Sequence, residues 1–369
     1  MDGQAVTGLV LSGGGARAAY QVGVLKAIAE LKQGSLNPFP VIVGTSAGAI
    51  NAAALASGAQ HFALAVERLT EIWQRLECSD IYRTDWPGVL RQAARFTLRN
   101  LLGMGQPTPV ALLNNTPLAG LLNQQLDTRG IIGALRSGAL KAAAVTAFDY
   151  SSGQNVTFYQ SKASRDWQRY RRQGVACRLS AAHLLASSAI PLVFAPVEIE
   201  ARFYGDGALR QLAPISPALR LGASQILMIG VSHAAEQKPV SKAQSPTLAH
   251  ISGQLLNSAF IDNLEADIEV LERLNSLAAQ AQGALPDIEP IKVLVINPSQ
   301  PLDRIAAKHH HELPRSIGTF LRGSGAMDSA SGAVLSYLLF APGYCGELIE
   351  LGYQDGLAKA AQIQAFFAG

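Results

Sequence analysis

The sequence predicts an α/β fold in which helices pack closely on a sheet of buried strands. Short apolar runs at Val6–Leu11, Val41–Val43, Gln225–Gly230 and Ile291–Ile296 read as buried strands. Helical patterns follow the first two directly, one to about Leu31 with apolar Val22, Leu25, Ile28 and Ala29, the other to about Ser57. The composition agrees: 49% hydrophobic, 15% charged and 34 glycines describe a chain with a large core, too apolar for disorder. At 369 residues there is room for one large domain or two small ones. With no internal repeat and no linker, one domain over 1–369 is expected.

Charge and cysteines exclude several classes. Thirty Lys and Arg against 27 Asp and Glu leave a net +3, which implies no polyanionic partner such as nucleic acid. Cys78, Cys177 and Cys345 are odd in number and widely spaced, so neither a disulfide framework nor a metal set is expected. Buried thiols in a reducing compartment fit them better. The start, Met1 to Val6, has no basic leader region, and no apolar run reaches membrane-spanning length. A cytoplasmic protein without a cofactor is the expectation.

The chemistry centres on Val41-Ile42-Val43-Gly44-Thr45-Ser46-Ala47-Gly48. Gly44 to Gly48 is a G-x-S-x-G between a strand and a helix, the setting of a nucleophile elbow. Small residues flank such a turn because strand and helix backbones approach closely, and amides at the following helix start face a developing oxyanion. A plain tight turn would carry the same pentapeptide. Upstream, Val6–Leu11 ends at Ser12-Gly13-Gly14-Gly15-Ala16-Arg17. Three glycines there suit a phosphate cradle, an oxyanion hole or a tight turn. A dinucleotide site would need an acid at the end of the second strand, but that strand ends in Gly44-Thr45-Ser46, and Glu30 lies on the intervening helix. No P-loop motif occurs.

Gly13-Gly14-Gly15-Ala16-Arg17, Gly44-Thr45-Ser46-Ala47-Gly48 and the downstream Tyr204-Gly205-Asp206-Gly207-Ala208 together resemble the patatin-like phospholipases of bacterial type. Ala186-Ser187-Ser188-Ala189-Ile190-Pro191-Leu192-Val193-Phe194 resembles that family's lead-in to its aspartate, and Ala144–Asp149 with Asn155–Phe158 its central strand pair. The resemblance covers about residues 5–230 and leaves about 300–369 as a C-terminal helical elaboration. It implies a three-layer α/β fold with a mostly parallel central sheet and helices on both faces, related to the α/β-hydrolase architecture. It also implies a Ser–Asp dyad, with Ser46 as nucleophile and Asp206 as general base. Gly13, Gly14 and Gly15 would form the oxyanion hole, with Gly44, Gly48 and Gly207 in support and Arg17 as a loop anchor. The implied activity is hydrolysis of carboxylic esters of phospholipids, lysophospholipids or related lipids through an acyl-serine. A dinucleotide-binding oxidoreductase and a catalytically idle lipid-binding protein are the alternatives.

The remaining features carry weaker expectations. His61 suits a helix start, and Thr116-Pro117 an N-cap followed by proline at the first helical position. Arg91, Arg95 and Arg99 share one helical face, with Leu90, Phe96, Leu98, Leu101 and Leu102 over the remainder. Lys162, Arg165, Arg169, Arg171, Arg172 and Arg178 surround Trp167 and Tyr170, with Asp166 the single acid. Both segments read first as solvated surface and second as peripheral membrane contacts. His233, after a strand, is the candidate for a triad histidine if the dyad fails. A loop over Ala235–Pro246 and a long helix from Leu248 to Ala281 follow. His309-His310-His311 lacks the partners of a metal site. Asp355-Gly356 repeats the Asp-Gly pair in a helical setting, and Met327–Leu339 and Cys345–Phe367 read as covering helices.

Overall fold

The computed structural model describes residues 5–34, 36–89, 91, 111–162, 165–211, 213–233, 290–323 and 332–368, with 269, 273, 275 and 276. Its strands are β1 (Thr7–Leu11), β2 (Val41–Thr45), β3 (Ala142–Asp149), β4 (Gln154–Ser161), β5 (Trp167–Arg169), β6 (Arg172–Ala176), β7 (Val197–Ile199), β8 (Arg202–Asp206), β9 (Gln225–Ile229) and β10 (Lys292–Ile296). They form one sheet in the order β10-β9-β1-β2-β3-β4-β6-β5, and β8 pairs with both β3 and β7. The block from β10 to β3 is wholly parallel, and β4 and β8 join β3 antiparallel.

Alternation along the strands explains why the central runs are apolar on both faces. Leu9, Leu11, Ile42, Leu227 and Ile229 point into the large core. Val10, Val41, Val43, Ile226 and Met228 point into a smaller one on the other face. The large core is built with α1 (Ala19–Lys32), α2 (Ala47–Ser57) and α3 (Phe62–Arg75), followed by the short α4 (Cys78–Ile81). Next come α5 (Thr116–Gln125), α6 (Thr128–Ser137) and α7 (Ala181–Ser187). On the second face the short α8 (Ser216–Arg220) contributes Ala218 and Leu219. The C-terminal helices are α9 (Leu302–Lys308), α10 (Arg315–Gly323), α11 (Gly332–Leu338), α12 (Pro342–Ala358) and α13 (Ala360–Ala368). Helix α12 lies against α1. There Tyr20 Oη donates to Asp355 Oδ2 at 3.0 Å, and the Ser299 amide to the same oxygen at 2.9 Å. The second Asp-Gly is therefore a helix-packing acid.

Two expectations need correction. Thr116 is the first helical residue of α5 and Asn115 its cap, without a side-chain cap bond; Asn114 Oδ1 accepts from both the Thr116 amide and its hydroxyl, which holds Thr116 inside the first turn. The basic segment of 161–178 is a built part of the sheet edge: β5 and β6 pair antiparallel and β6 runs parallel to β4. Its turn holds Arg171 at φ 55°, with the guanidinium 5.0 Å from the Tyr170 ring centre. His61 is the cap residue of α3, as expected. Arg91 is helical and exposed; Arg95, Arg99, the loop of 235–246 and nearly all of the helix of 248–281 lie outside the described residues, as does Met327. Among the described residues no helix is long and apolar enough to cross a membrane, and no His, Cys, Asp and Glu cluster is suited to a metal. Cys78 and Cys345 are buried free thiols, and Cys177 is half-buried.

Candidate active site

Parallel strands release their C-terminal ends on one edge of the sheet, and there the glycine loop and Ser46 meet. Leu11 pairs with Gly44, so the turn after β1 and the turn after β2 begin side by side. Ser46 takes φ 55° and ψ −130°, a strained conformation for a residue with a Cβ, as the elbow reading requires. The flanking glycines are needed for closeness. A Cβ on Gly44 would lie 2.2 Å from the Gly48 carbonyl oxygen, and one on Gly48 would lie 2.4 Å from that of Ser12. Both obstacles are backbone and cannot swing away.

Asp206 arrives from β8. That strand pairs antiparallel with β3, with Asp206 opposite Ala147, so its last residue reaches the Ser46 edge. Ser46 Oγ donates to Asp206 Oδ2 at 2.6 Å, and the Ala208 amide donates to Oδ1 at 2.9 Å. Gly207 allows this turn to press on β3, since a Cβ there would sit 2.1 Å from the Thr146 carbonyl oxygen. The Asp206 carboxyl is fully buried. Burial pushes it up to about 7, against the pull of its bonds from Ser46 and Ala208. A second buried acid, Asp149 on β3, behaves oppositely. Burial alone would raise it, but the Ser152 hydroxyl, the Ser151 and Ser152 amides and Arg202 hold it below the ordinary carboxylate range. Of these two acids, Asp206 is the one raised toward neutrality and in contact with the serine.

The glycine loop is packed from outside. A Cβ on Gly15, at φ 56°, would strike the Tyr337 carbonyl oxygen at 2.2 Å, and one on Gly14 would meet Val231 Cγ2 at 2.5 Å. Arg17 is buried, donates from Nε to Ser336 Oγ at 2.8 Å, and lies 4.2 Å from the Tyr337 ring centre. It ties the loop to α11 and makes no contact with Ser46. Among the described residues the amides of Gly13, Gly14, Gly15 and Ala47 meet no protein acceptor. Gly15, Ser46 and Ala47 line one pocket of about 900 Å³, counting space open at its mouth. Its other walls are nearly all apolar, from Ile50 on α2, Trp73 on α3, Leu118 and Leu122 on α5, and Phe194 and Phe340.

Several positioning residues carried no signal of their own in the sequence. The Ser46 amide donates to Ser187 Oγ at 2.9 Å, and that hydroxyl donates to the Thr146 carbonyl at 2.6 Å. Gln211 Nε2 donates to Thr45 Oγ1 at 2.7 Å, joining the serine turn to the segment after Asp206. Asn155 Nδ2 donates to the Gly207 carbonyl at 3.0 Å. A buried chain runs from Trp73 Nε1 to Asn51 Oδ1, from Asn51 Nδ2 to Gln21 Oε1, and from Gln21 Nε2 to the Ser12 carbonyl. His233 faces away from this chemistry, its Nδ1 3.0 Å from the Pro298 carbonyl oxygen.

Residues 9–219 match the family described as patatin-like phospholipase. Among solved structures, VipD from Legionella pneumophila is 13% identical, with a TM-score of 0.37 over 98% of this chain and 67% of its own. Human GIVD cytosolic phospholipase A2 is 14% identical, with a TM-score of 0.48 over 99% of this chain. The same human protein in complex with methyl gamma-linolenyl fluorophosphonate gives 14% and 0.45. This chain spans about 60% of the length of those human chains. A comparison with curated proteins gives no match. The family match takes in the glycine loop, the serine turn and the Asp206 turn, over more than half of the chain, and the chain belongs to the patatin-like phospholipase family.

Proposed function

We propose that the protein hydrolyses a carboxylic ester of a lipid by a Ser46–Asp206 dyad, through an acyl-serine intermediate. Family membership supports the lipid hydrolase class. The observation that carries the finer reading is the 2.6 Å bond from Ser46 Oγ to a fully buried Asp206, at an apolar pocket. A serine hydroxyl is a weak nucleophile until a neighbour accepts its proton. Asp206 does so as Oγ attacks the ester carbon, and its raised basicity suits proton transfer near neutral pH. The carbonyl oxygen takes the negative charge and is held by the amides of Gly13, Gly14, Gly15 and Ala47. Donors of this type are worth about 3–4 kcal/mol each. The tetrahedral adduct collapses, the alcohol leaves with the proton from Asp206, and the acyl group stays on Ser46. Water then attacks the acyl carbon, Asp206 takes its proton and returns it to Ser46 Oγ, and the fatty acid departs.

Substrate preference follows the pocket. Its walls hold no charged residue among the described residues, so the acyl chain is what it recognises, and phospholipid, lysophospholipid and neutral esters are all admissible. Delivery from a lipid surface fits the neighbouring surface. Leu192 is 68% exposed at φ 67°, between the pocket-lining Ile190 and Phe194. A leucine held in a strained conformation to face solvent is a membrane anchor in this reading.

Rapid-quench kinetics with a p-nitrophenyl acyl ester test the reaction. The expected result is a burst of p-nitrophenolate and an acyl mass on the Ser46 peptide, both lost in Ser46→Ala. Acylation elsewhere, or an unchanged burst in Ser46→Ala, overturns the reading.

A further inference from the structure

We propose that a second site, at the end of the sheet opposite Ser46, binds a phosphate-bearing anion. Three separate stretches of chain build it: Lys141 before β3, Lys162 and Arg165 after β4, and Arg220 at the end of α8. The four cations line one cleft of about 1150 Å³, counting space open to solvent, with Tyr159 and Trp167 in its wall. No acid lines it among the described residues. Asp166, the nearest acid in sequence, is turned to the Ala176 amide at 2.8 Å.

The register fixes which end this is. Val41 pairs with Ala142 and Ala142 with Ser161, so Lys141 and Lys162 stand at the N-terminal edge of β2 and β3. Ser46 follows the C-terminal edge, and the strand between rises roughly 13 Å. An occupant of this cleft is therefore separate from the ester being cleaved.

Cations alone are common on surfaces, and one of these has a local explanation. Lys162 Nζ donates to the Arg136 carbonyl at 3.4 Å, at the end of α6. The side chains of Lys141, Arg165 and Arg220 have no protein partner among the described residues. Gathering four like charges around one concavity raises their mutual repulsion, which an anion relieves. Two guanidinium groups match phosphate oxygens in pairs, while the two ammonium groups add point charge. The basic stretch of the sequence thereby divides in two. Lys162 and Arg165 belong to this cleft, whereas Arg169 and Arg171 lie at the other end of the β5–β6 hairpin.

Titration calorimetry of the full chain with inorganic pyrophosphate tests the site. Binding that is saturable and weakened by salt is expected, and Arg165→Ala/Arg220→Ala should weaken it about tenfold or more. Arg169→Ala/Arg171→Ala, which removes equal charge at the other end, should leave it unchanged. Both double variants are read beside the thermal midpoint, which substitutions at such exposed positions should hold constant. A parallel arm uses phosphatidylcholine vesicles with and without phosphatidate. Vesicle binding that needs phosphatidate and is lost in Arg165→Ala/Arg220→Ala, without pyrophosphate binding, assigns the phosphate to a lipid headgroup. Equal losses in the two double variants, or no binding of either probe, overturns the proposal.

Discussion

The two ends of the sheet handle charge in opposite ways. At the C-terminal end several polar side chains are paired with one another across the fold: Ser46 to Asp206, Ser187 to the Ser46 amide, Gln211 to Thr45, and Arg17 to Ser336 and the Tyr337 ring. At the N-terminal end Lys141, Arg165 and Arg220 are exposed and unassigned around a cleft. In the proposed reaction the first end supplies fixed atoms and a raised carboxyl. The second is organised for attraction, where charge matters more than angle. A parallel sheet produces this separation by itself, because its loops of one kind all emerge on one edge.

Variants at the catalytic end should sharpen the contrast, and the strongest effect is expected from Ser46→Ala. Steady-state hydrolysis should fall by about a thousandfold or more, with the thermal midpoint little changed. Asp206→Asn should lower kcat by about a hundredfold to ten-thousandfold. Its effect on stability has the reverse sign. The folded carboxyl holds its proton up to about 7, whereas in the unfolded chain it ionises near the ordinary aspartate value. Its stabilising contribution is thus complete below about pH 4 and is lost as pH rises toward 7. At about pH 8 the asparagine variant should melt above the wild type, and the gap should close on acidification. Scanning calorimetry at the two pH values checks this.

Smaller effects are expected from groups that position rather than react. Gln211→Ala removes the 2.7 Å bond to Thr45 and should lower kcat about tenfold with KM nearly unchanged. A comparable loss in KM alone would place Gln211 in substrate binding. Leu122→Trp fills part of the apolar pocket and should shift the preferred p-nitrophenyl ester to shorter chains, with little effect on the shortest. Leu192→Ser should reduce hydrolysis of vesicle lipid severalfold and leave a soluble short ester untouched. Equal losses on both substrates would break the anchor reading.

The groups proposed to react are legible in the sequence because such chemistry demands unusual local patterns. A serine between two small turns and three consecutive glycines stand out in a row of residues, and Asp206 stands out beside Gly207. The supporting groups were not legible. Ser187, Gln211 and Asn155 are common residue types whose partners lie 141, 166 and 52 positions away. The anion cleft was half visible, as Lys162 and Arg165, while Lys141 and Arg220 reach it only through strand pairing. Apolarity marks β1, β2, β9 and β10, which are buried centrally or against a neighbour. It does not mark β5 and β6, because an edge hairpin is charged for the same reason that it is exposed. Helix α5 begins one residue earlier than the Thr116-Pro117 pattern suggests, with Asn115 as its cap.

The most direct test of the dyad is the rate of fluorophosphonate labelling across pH, with the modified peptide identified by mass spectrometry. The account predicts an adduct on Ser46 whose rate rises with pH about a midpoint near 7, and a slow, flat profile in Asp206→Asn. Labelling of Ser46 at the wild-type rate and with the same pH dependence in Asp206→Asn would contradict it.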